Sequence, residues 1–461
     1  GLPDPNLPGA ASNYSYVQQF TNDNDKYSGK ADYQFSSALS MFARYGYRKA
    51  DLFDSPPLPL PSGGAGNAFT YVTNKQFATG FTWARSSTAL LEGRFGWSYT
   101  IAGKNPHALR TPSAFDEYGI TGLPDDPRVA GGLPTQLISG YADLGRQATN
   151  PQWQYPEVWN PKVNYTWVVG RHSLKTGYEY QFIATEVQDV NPLYGRDTYN
   201  GQFTRPAGAA ANNQYNLADF MFGLRAQYAL STFLIANLRQ QMHFTYIQDD
   251  FRVNRRLSLN LGVRYTMNFP STVVNDRGAV FNLRTQQLDF LGKQGFPRTA
   301  RNLEWGNFGP RVGLAFRASG SFVIRAGYGM TWIEQAGITT PFTTPLFPFT
   351  RTLQQASLDN INPAFVLSQG PTIRVDEPNA NSGLGQGVFG VQRDQKSGYA
   401  QQWNLSLQKT FGSNWSVEAG YLGSKLTNLG VPDVNLNQLR AEQLALGSQL
   451  TAQVPNPFFG Q

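Results

Sequence analysis

The stretch Leu257-Ser-Leu-Asn-Leu-Gly-Val-Arg-Tyr-Thr-Met267 alternates without a break: every odd position is large and apolar, every even position small or polar. Successive side chains of a strand point to opposite faces, so this segment has one apolar face and one wet face. About ten residues suit a tilted strand crossing a bilayer, whereas strands of soluble proteins most often run to about five or six.

The pattern recurs in pairs. Alternation and turn chemistry predict six hairpins, at about 26–48, 75–100, 161–184, 240–268, 309–333 and 399–425. In the first, Tyr27, Ala31, Tyr33 and Phe35 alternate with Ser28, Lys30, Asp32 and Gln34. The tight connections, such as Ser36-Ser37, Gly170-Arg171 and Gly412-Ser413, carry the residues that short hairpin turns need. Between hairpins the chain runs for roughly 25 to 65 residues rich in Pro, Gly, Asn and Thr, longer than the loops of most soluble domains. Short turns on one side and long loops on the other are the mark of an outer-membrane barrel. Phe35, Trp83, Trp167, Phe251, Phe316, Phe411 and Trp415 cluster near the short turns, as an interfacial aromatic girdle would. The expected fold is all-β: an antiparallel up-and-down transmembrane β-barrel of about twelve strands, with short periplasmic turns and long extracellular loops.

Bulk composition agrees. The 461 residues are 40% hydrophobic, and the mean hydropathy is −0.40. A membrane barrel looks soluble in bulk because only alternate strand residues meet lipid. Aromatics make up 14%. The absence of cysteine excludes disulfides, thiolate nucleophiles, iron–sulfur clusters and Cys-bound zinc. No apolar run is long enough for a transmembrane helix. Residues 1–12 lack the basic and apolar regions of a signal peptide, so the chain is expected to be a mature form or a fragment. The net charge of +7 is scattered, which does not suit a nucleic-acid partner.

Polar residues on the non-lipid face of the predicted strands are placed by cost. A charge on the lipid face near mid-bilayer is unfavourable by about 2–4 kcal/mol, so Arg264, Arg311, Arg325, Glu179, Gln181, Gln408 and Glu418 are expected to face the lumen. Ligand contacts are expected in the loops at about 102–157, 187–238 and 334–397, where Trp153, Tyr155, Tyr194 and Tyr199 are candidate stacking residues. His107, His172 and His243 are too scattered to form a metal site. Asp23-Asn24-Asp25 offers oxygens to calcium in a loop but lacks the rest of a calcium-binding loop. The glycine-rich stretches at 62–66 and 383–390 have no Lys-Ser/Thr after them and are not phosphate loops. No catalytic, cofactor-binding or metal-binding residues are predicted, and the chain is not expected to be an enzyme.

Several strings resemble the barrel of TonB-dependent outer-membrane transporters, specifically the Oar-like group. They are Tyr246-Ile-Gln-Asp-Asp-Phe-Arg-Val253, Leu257–Tyr265, Asn307-Phe-Gly-Pro-Arg-Val-Gly-Leu-Ala-Phe316, Val323-Ile-Arg-Ala-Gly-Tyr-Gly329, Gln401-Gln-Trp-Asn-Leu-Ser-Leu-Gln408 and Gly420-Tyr-Leu-Gly-Ser-Lys425. The resemblance implies a 22-stranded barrel, a plug domain in its lumen and a TonB box, often preceded by a carboxypeptidase-regulatory-like domain. None of these N-terminal parts is legible here, and Val454–Gln461 does not read as a closing strand. The chain is therefore expected to be an internal fragment of such a barrel. The implied partners are outer-membrane lipid and lipopolysaccharide, the protein's own plug and the TonB complex. The implied cargo is an extracellular solute: a siderophore, glycan, peptide or protein. A passive porin-like channel is the alternative, followed by an adhesin or enzyme scaffold.

Overall fold

The computed structural model describes all residues except 1, 10–11, 65, 67, 114–115, 117–118, 334–345, 374, 383–386, 389, 431–433, 436–437, 453–454 and 456–461. Most of the glycine-rich stretch at 383–390, the start of the connection at 334–397 and nearly all of 454–461 lie outside the described residues.

The strands, in chain order, open with β1 (Phe20–Gln34), β2 (Leu39–Asp54), β3 (Phe69–Ser86), β4 (Ala89–Asn105) and the short β5 (Thr135–Ile138). Next come β6 (Gln152–Val169), β7 (His172–Gln188), β8 (Arg196–Tyr199), helix α1 (Asn213–Met221) and β9 (Gln227–Ser231). Then follow β10 (Ala236–Arg252), β11 (Leu257–Asn268), β12 (Thr272–Val273), β13 (Ala279–Asn282), β14 (Gln287–Phe290) and β15 (Phe308–Ser319). The last are β16 (Phe322–Trp332), β17 (Thr352–Ala356), β18 (Tyr399–Phe411) and β19 (Trp415–Thr427).

Twelve long strands form one antiparallel wall in the order β1-β2-β3-β4-β6-β7-β10-β11-β15-β16-β18-β19. Sequential neighbours in a meander put alternate connections on opposite rims. All six tight turns therefore share one rim, and the long connections share the other. The sheet is open, with β1 and β19 at its two edges.

The six predicted hairpins are present, and the strands of the first three reach further toward the long-loop rim. β3 and β4 run to 69 and 105, and β6 begins at Gln152 rather than near 161. Beyond the bilayer both faces are wet, so alternation fades while the backbone ladder continues. Asp23, Asn24 and Asp25 lie in such an extension, inside β1 opposite Asp51, Ala50 and Lys49. Neighbouring strand side chains point apart, so these three do not form the calcium-binding loop considered from the sequence.

The register sorts the wall cleanly into two faces. One carries Phe77, Phe81, Phe95, Trp97, Trp159, Val163, Leu261, Val263, Leu405 and Leu407 in cross-strand rows. This is the lipid face. Phe35, Trp83, Trp167, Phe316, Phe411 and Trp415 are exposed near the short turns, as expected of a girdle. Phe251 instead stacks flat on His172 at 4.1 Å.

Glycines on the wall make room for rings from the next strand. A Cβ on Gly93 would run into the Phe81 ring, and one on Gly423 into the Trp403 indole. On the inner face, Tyr246 reaches across Gly177 so that its hydroxyl donates to Asn164 Oδ1 at 2.9 Å. A Cβ on Gly177 would stand 2.6 Å from Tyr246 Cε1 and 2.9 Å from the Val163 carbonyl oxygen. Gly177→Ala should therefore expel Tyr246 and break its hydrogen bond, at a cost of about 1–3 kcal/mol. Urea unfolding in lipid vesicles measures this, and an unchanged midpoint would contradict the packing.

Candidate functional site

Two regions are candidates for contact with a solute: the inner face of the wall and the long connections. All seven residues predicted to face the lumen share the face opposite the apolar rows. Glu179 and Gln181 pair with Phe244 and Met242, and Arg264 with Tyr246. Arg311 pairs with Gly262, Arg325 with Ala315, and Gln408 with Glu418. Five of them are held by inner-face neighbours. Arg325 Nη1 donates to Gln408 Oε1 at 2.8 Å, and Asn160 Nδ2 to Glu179 Oε1 at 2.9 Å. The Ser406 hydroxyl donates to Glu418. The Arg264 guanidinium lies 4.7 Å over the Phe244 ring, a cation–π arrangement.

The register also reveals a charge asymmetry. The inner face carries Lys26, Lys30, Arg44, Arg48, Arg94, Lys104, Lys162, Lys175, Arg252, Arg264, Arg311, Arg317 and Arg325. Against these thirteen cations stand six carboxylates: Asp32, Asp54, Glu92, Glu179, Asp250 and Glu418. Leaving aside Arg85 at a bulge, the outer face holds Lys49, Lys75, Arg239, Lys409 and Lys425 beside Asp23, Asp25, Asp51, Glu157, Glu186 and Asp249, with no positive excess.

The long loops are not structureless. β5, β8, β9 and β17 come from three separate connections and form one small sheet in the order β17-β9-β8-β5, with β5 and β8 parallel. Helix α1 lies beside it, capped by the Asn212 side chain, which accepts from the backbone of Gln214 and Tyr215. The cap has its own apolar clusters, including Tyr228, Leu230, Ala364 and Phe365, and Val129, Val190, Leu193 and Tyr194.

A buried polar centre ties the cap together. Arg225 and Asp197 are 2% and 0% exposed and form an ion pair at 2.8 Å. Gln136 Nε2 donates to Asp197 Oδ2 at 3.0 Å, and the Tyr199 hydroxyl donates to Gln136 Oε1 at 3.0 Å. Arg225 Nη2 donates to the Tyr199 hydroxyl at 3.2 Å, and its guanidinium lies 4.2 Å over the Phe365 ring. A second buried arginine, Arg146, donates to the carbonyls of Val129, Gly131 and Asn150 and stacks on Tyr194 at 4.3 Å. Burial pulls its guanidinium down to about 10, so it stays charged at neutral pH.

These placements revise the loop candidates. Tyr194 and Tyr199 are 2% and 1% exposed, and burial pushes the Tyr199 phenol up. They support arginines inside the cap and present no ring to solute. Trp153 and Tyr155 stand on β6, not in a loop, and on the outer side of the wall. Trp153 Nε1 donates to Glu186 Oε1 at 3.2 Å, and the Tyr155 and Tyr71 hydroxyls lie 3.2 Å apart. The reasons differ: Tyr194 and Tyr199 look exposed until their buried arginine partners are known, whereas Trp153 and Tyr155 lie where the strand outlasts its alternation.

The cap instead exposes a patch that the sequence does not announce. Met221 and Phe222 are each 75% exposed, Leu358 99% and Ile361 78%. Backbone bonds from Ser357 to Ala226 and from Ala364 to Arg225 hold the second pair's segment beside the chain that follows the helix. Large apolar side chains grouped at a surface mark contact sites.

Among solved structures, the outer membrane transporter YddB from Escherichia coli is similar at 13% identity and a TM-score of 0.47, over 88% of this chain and 40% of that one. The ferric-catecholate import receptor Fiu from E. coli aligns at 10% identity and a TM-score of 0.43, over 88% and 52%. The siderophore receptor PiuA from Acinetobacter baumannii aligns at 11% and 0.40, over 87% and 50%. The chain thus spans between 40% and 52% of the length of these proteins. No curated protein matches the sequence. The family model described as the outer membrane beta barrel domain matches residues 1–461, so the chain belongs to that family and resides in the outer membrane of a Gram-negative bacterium.

Proposed function

We propose that this chain is the barrel portion of a TonB-dependent receptor that binds a large, scarce solute at its extracellular loops and imports it to the periplasm. The observation that carries the reading is the folded cap. Three connections are locked into one sheet, a costly arrangement whose use is to present a defined surface to a particular solute. The transporter-like strings between Tyr246 and Lys425 support the same reading. In it, a plug domain gates the lumen and a TonB box couples import to energy; the twelve-stranded wall supplies neither.

Deletion of the gene in its own bacterium, followed by uptake of ferric siderophores, glycans and peptides, tests this. Import of one class should fall at least tenfold, and loss of TonB should produce the same defect. Uptake that persists without TonB would establish a passive channel instead.

A further inference from the structure

The first hairpin carries a charge pattern that the fold does not need. Lys26 stands directly opposite Arg48, and Lys30 directly opposite Arg44, all on the inner face. Directly opposed side chains lie about 5 Å apart at Cβ, and like charges in that relation repel. They are offset in part: Lys30 meets Asp32 at 2.7 Å and lies 5.9 Å from the centre of the Phe42 ring, and Arg48 Nε donates to Asn24 Oδ1 at 3.1 Å. Among the described residues, Lys26 and Arg44 have no ion-pair partner. The two cation pairs are separated by four residues along the strand, about 13 Å.

Between them the wall is bare. Ser28 faces Gly46, and the next rows hold Gln76 and Ser98, then Ala78, Gly96 and Asn160. A Cβ built on Gly46 or Gly96 would meet nothing within 4 Å. Beside the pairs lies a depression of about 270 Å³ with Arg44, which of the four cations alone lines it, at one end and Asn160 at the other. Its floor is small, and its edges offer a guanidinium and neutral amide and hydroxyl donors.

We propose that the inner face of β1 and β2, with this depression, binds an anionic solute bearing two or more carboxylate or phosphate groups. Paired cations on each side of a bare floor suit oxyanions at two points, and guanidinium forks bind such groups through two hydrogen bonds at once. The wider excess of cations on the inner face would draw the same solute inward. The proposal rests on the inner face being a solute path, but not on how transport is powered.

The test uses the full chain folded in detergent, titrated calorimetrically with citrate, pyrophosphate and, as a neutral control, sucrose. Citrate or pyrophosphate should bind, sucrose should not, and affinity should fall as salt rises. Arg44→Gln with Arg48→Gln should weaken binding at least tenfold, Arg44→Lys should weaken it less, and Lys409→Gln on the outer face should leave it unchanged. If the double variant does not fold, Lys26→Gln and Lys30→Gln report singly. Because they relieve repulsion, each should keep or raise the temperature at which the folded band is lost on a denaturing gel. Equal binding by the charge variants and the parent would overturn the site. So would loss of citrate binding in Lys409→Gln, which would place the anion on the outer face. Failure of binding would leave the transport reading standing, and TonB-independent uptake would leave the anion site standing.

Discussion

Replacing Arg225 with methionine is expected to unfold the loop cap while leaving the wall intact. Arg225 is 2% exposed, and its removal strands Asp197, which is fully buried, without a counter-charge. Breaking a buried pair from one side typically costs about 3–5 kcal/mol, because the remaining charge keeps its desolvation penalty. A unit of four strands, each of four or five residues, has little reserve against such a loss. Hydrogen exchange should therefore speed up across β5, β8, β9 and β17, with β10 and β11 protected as before. A second change, Asp197→Leu, should restore much of the protection, since apolar replacement of both members is often neutral. Unaltered exchange in the single variant would show that the apolar clusters alone hold the cap.

The second large effect separates adjacent residues. Leu405 and Asn404 sit at the middle of β18; Leu405 pairs with Ala326 and Tyr421, Asn404 with Gly327 and Leu422. Leu405 belongs to the lipid face and Asn404 to the inner one. Leu405→Arg should cost about 2–4 kcal/mol of folding free energy in vesicles, the penalty for a cation at the bilayer midplane. Asn404→Arg should cost much less, because its side chain remains in water. Equal penalties at the two positions would mean that the faces have been assigned wrongly.

The wall was legible in the sequence because its signal is local. A period of two over ten residues identifies both the strand and its faces, which is why Glu179, Arg264, Arg311 and Gln408 could be placed from the alternation alone. The cap was not legible, because its strands are only four or five residues long and pair across large separations. Thr135–Ile138 lies against Arg196–Tyr199, and Gln227–Ser231 against Thr352–Ala356. Nothing local distinguishes Arg225 or Asp197 from surface residues, and charged side chains are rarely buried unless paired. The same gap explains Tyr194 and Tyr199, whose burial follows from arginines distant in sequence. The opposed cations of the first hairpin lie between these cases. Each was visible on the even face, but their confrontation needed the register.

The shared sheet of the cap limits how such a protein can change. β9 is bonded on one side to β17 and on the other to β8, and β8 in turn to β5. An insertion in any one of the three connections shifts a strand paired with a strand from another. Exchanging a single loop between relatives then disturbs the sheet it shares with the others. New specificity requires three distant stretches of the gene to be inherited together, or substitutions confined to side chains that the sheet leaves outside, such as Met221, Phe222, Leu358 and Ile361.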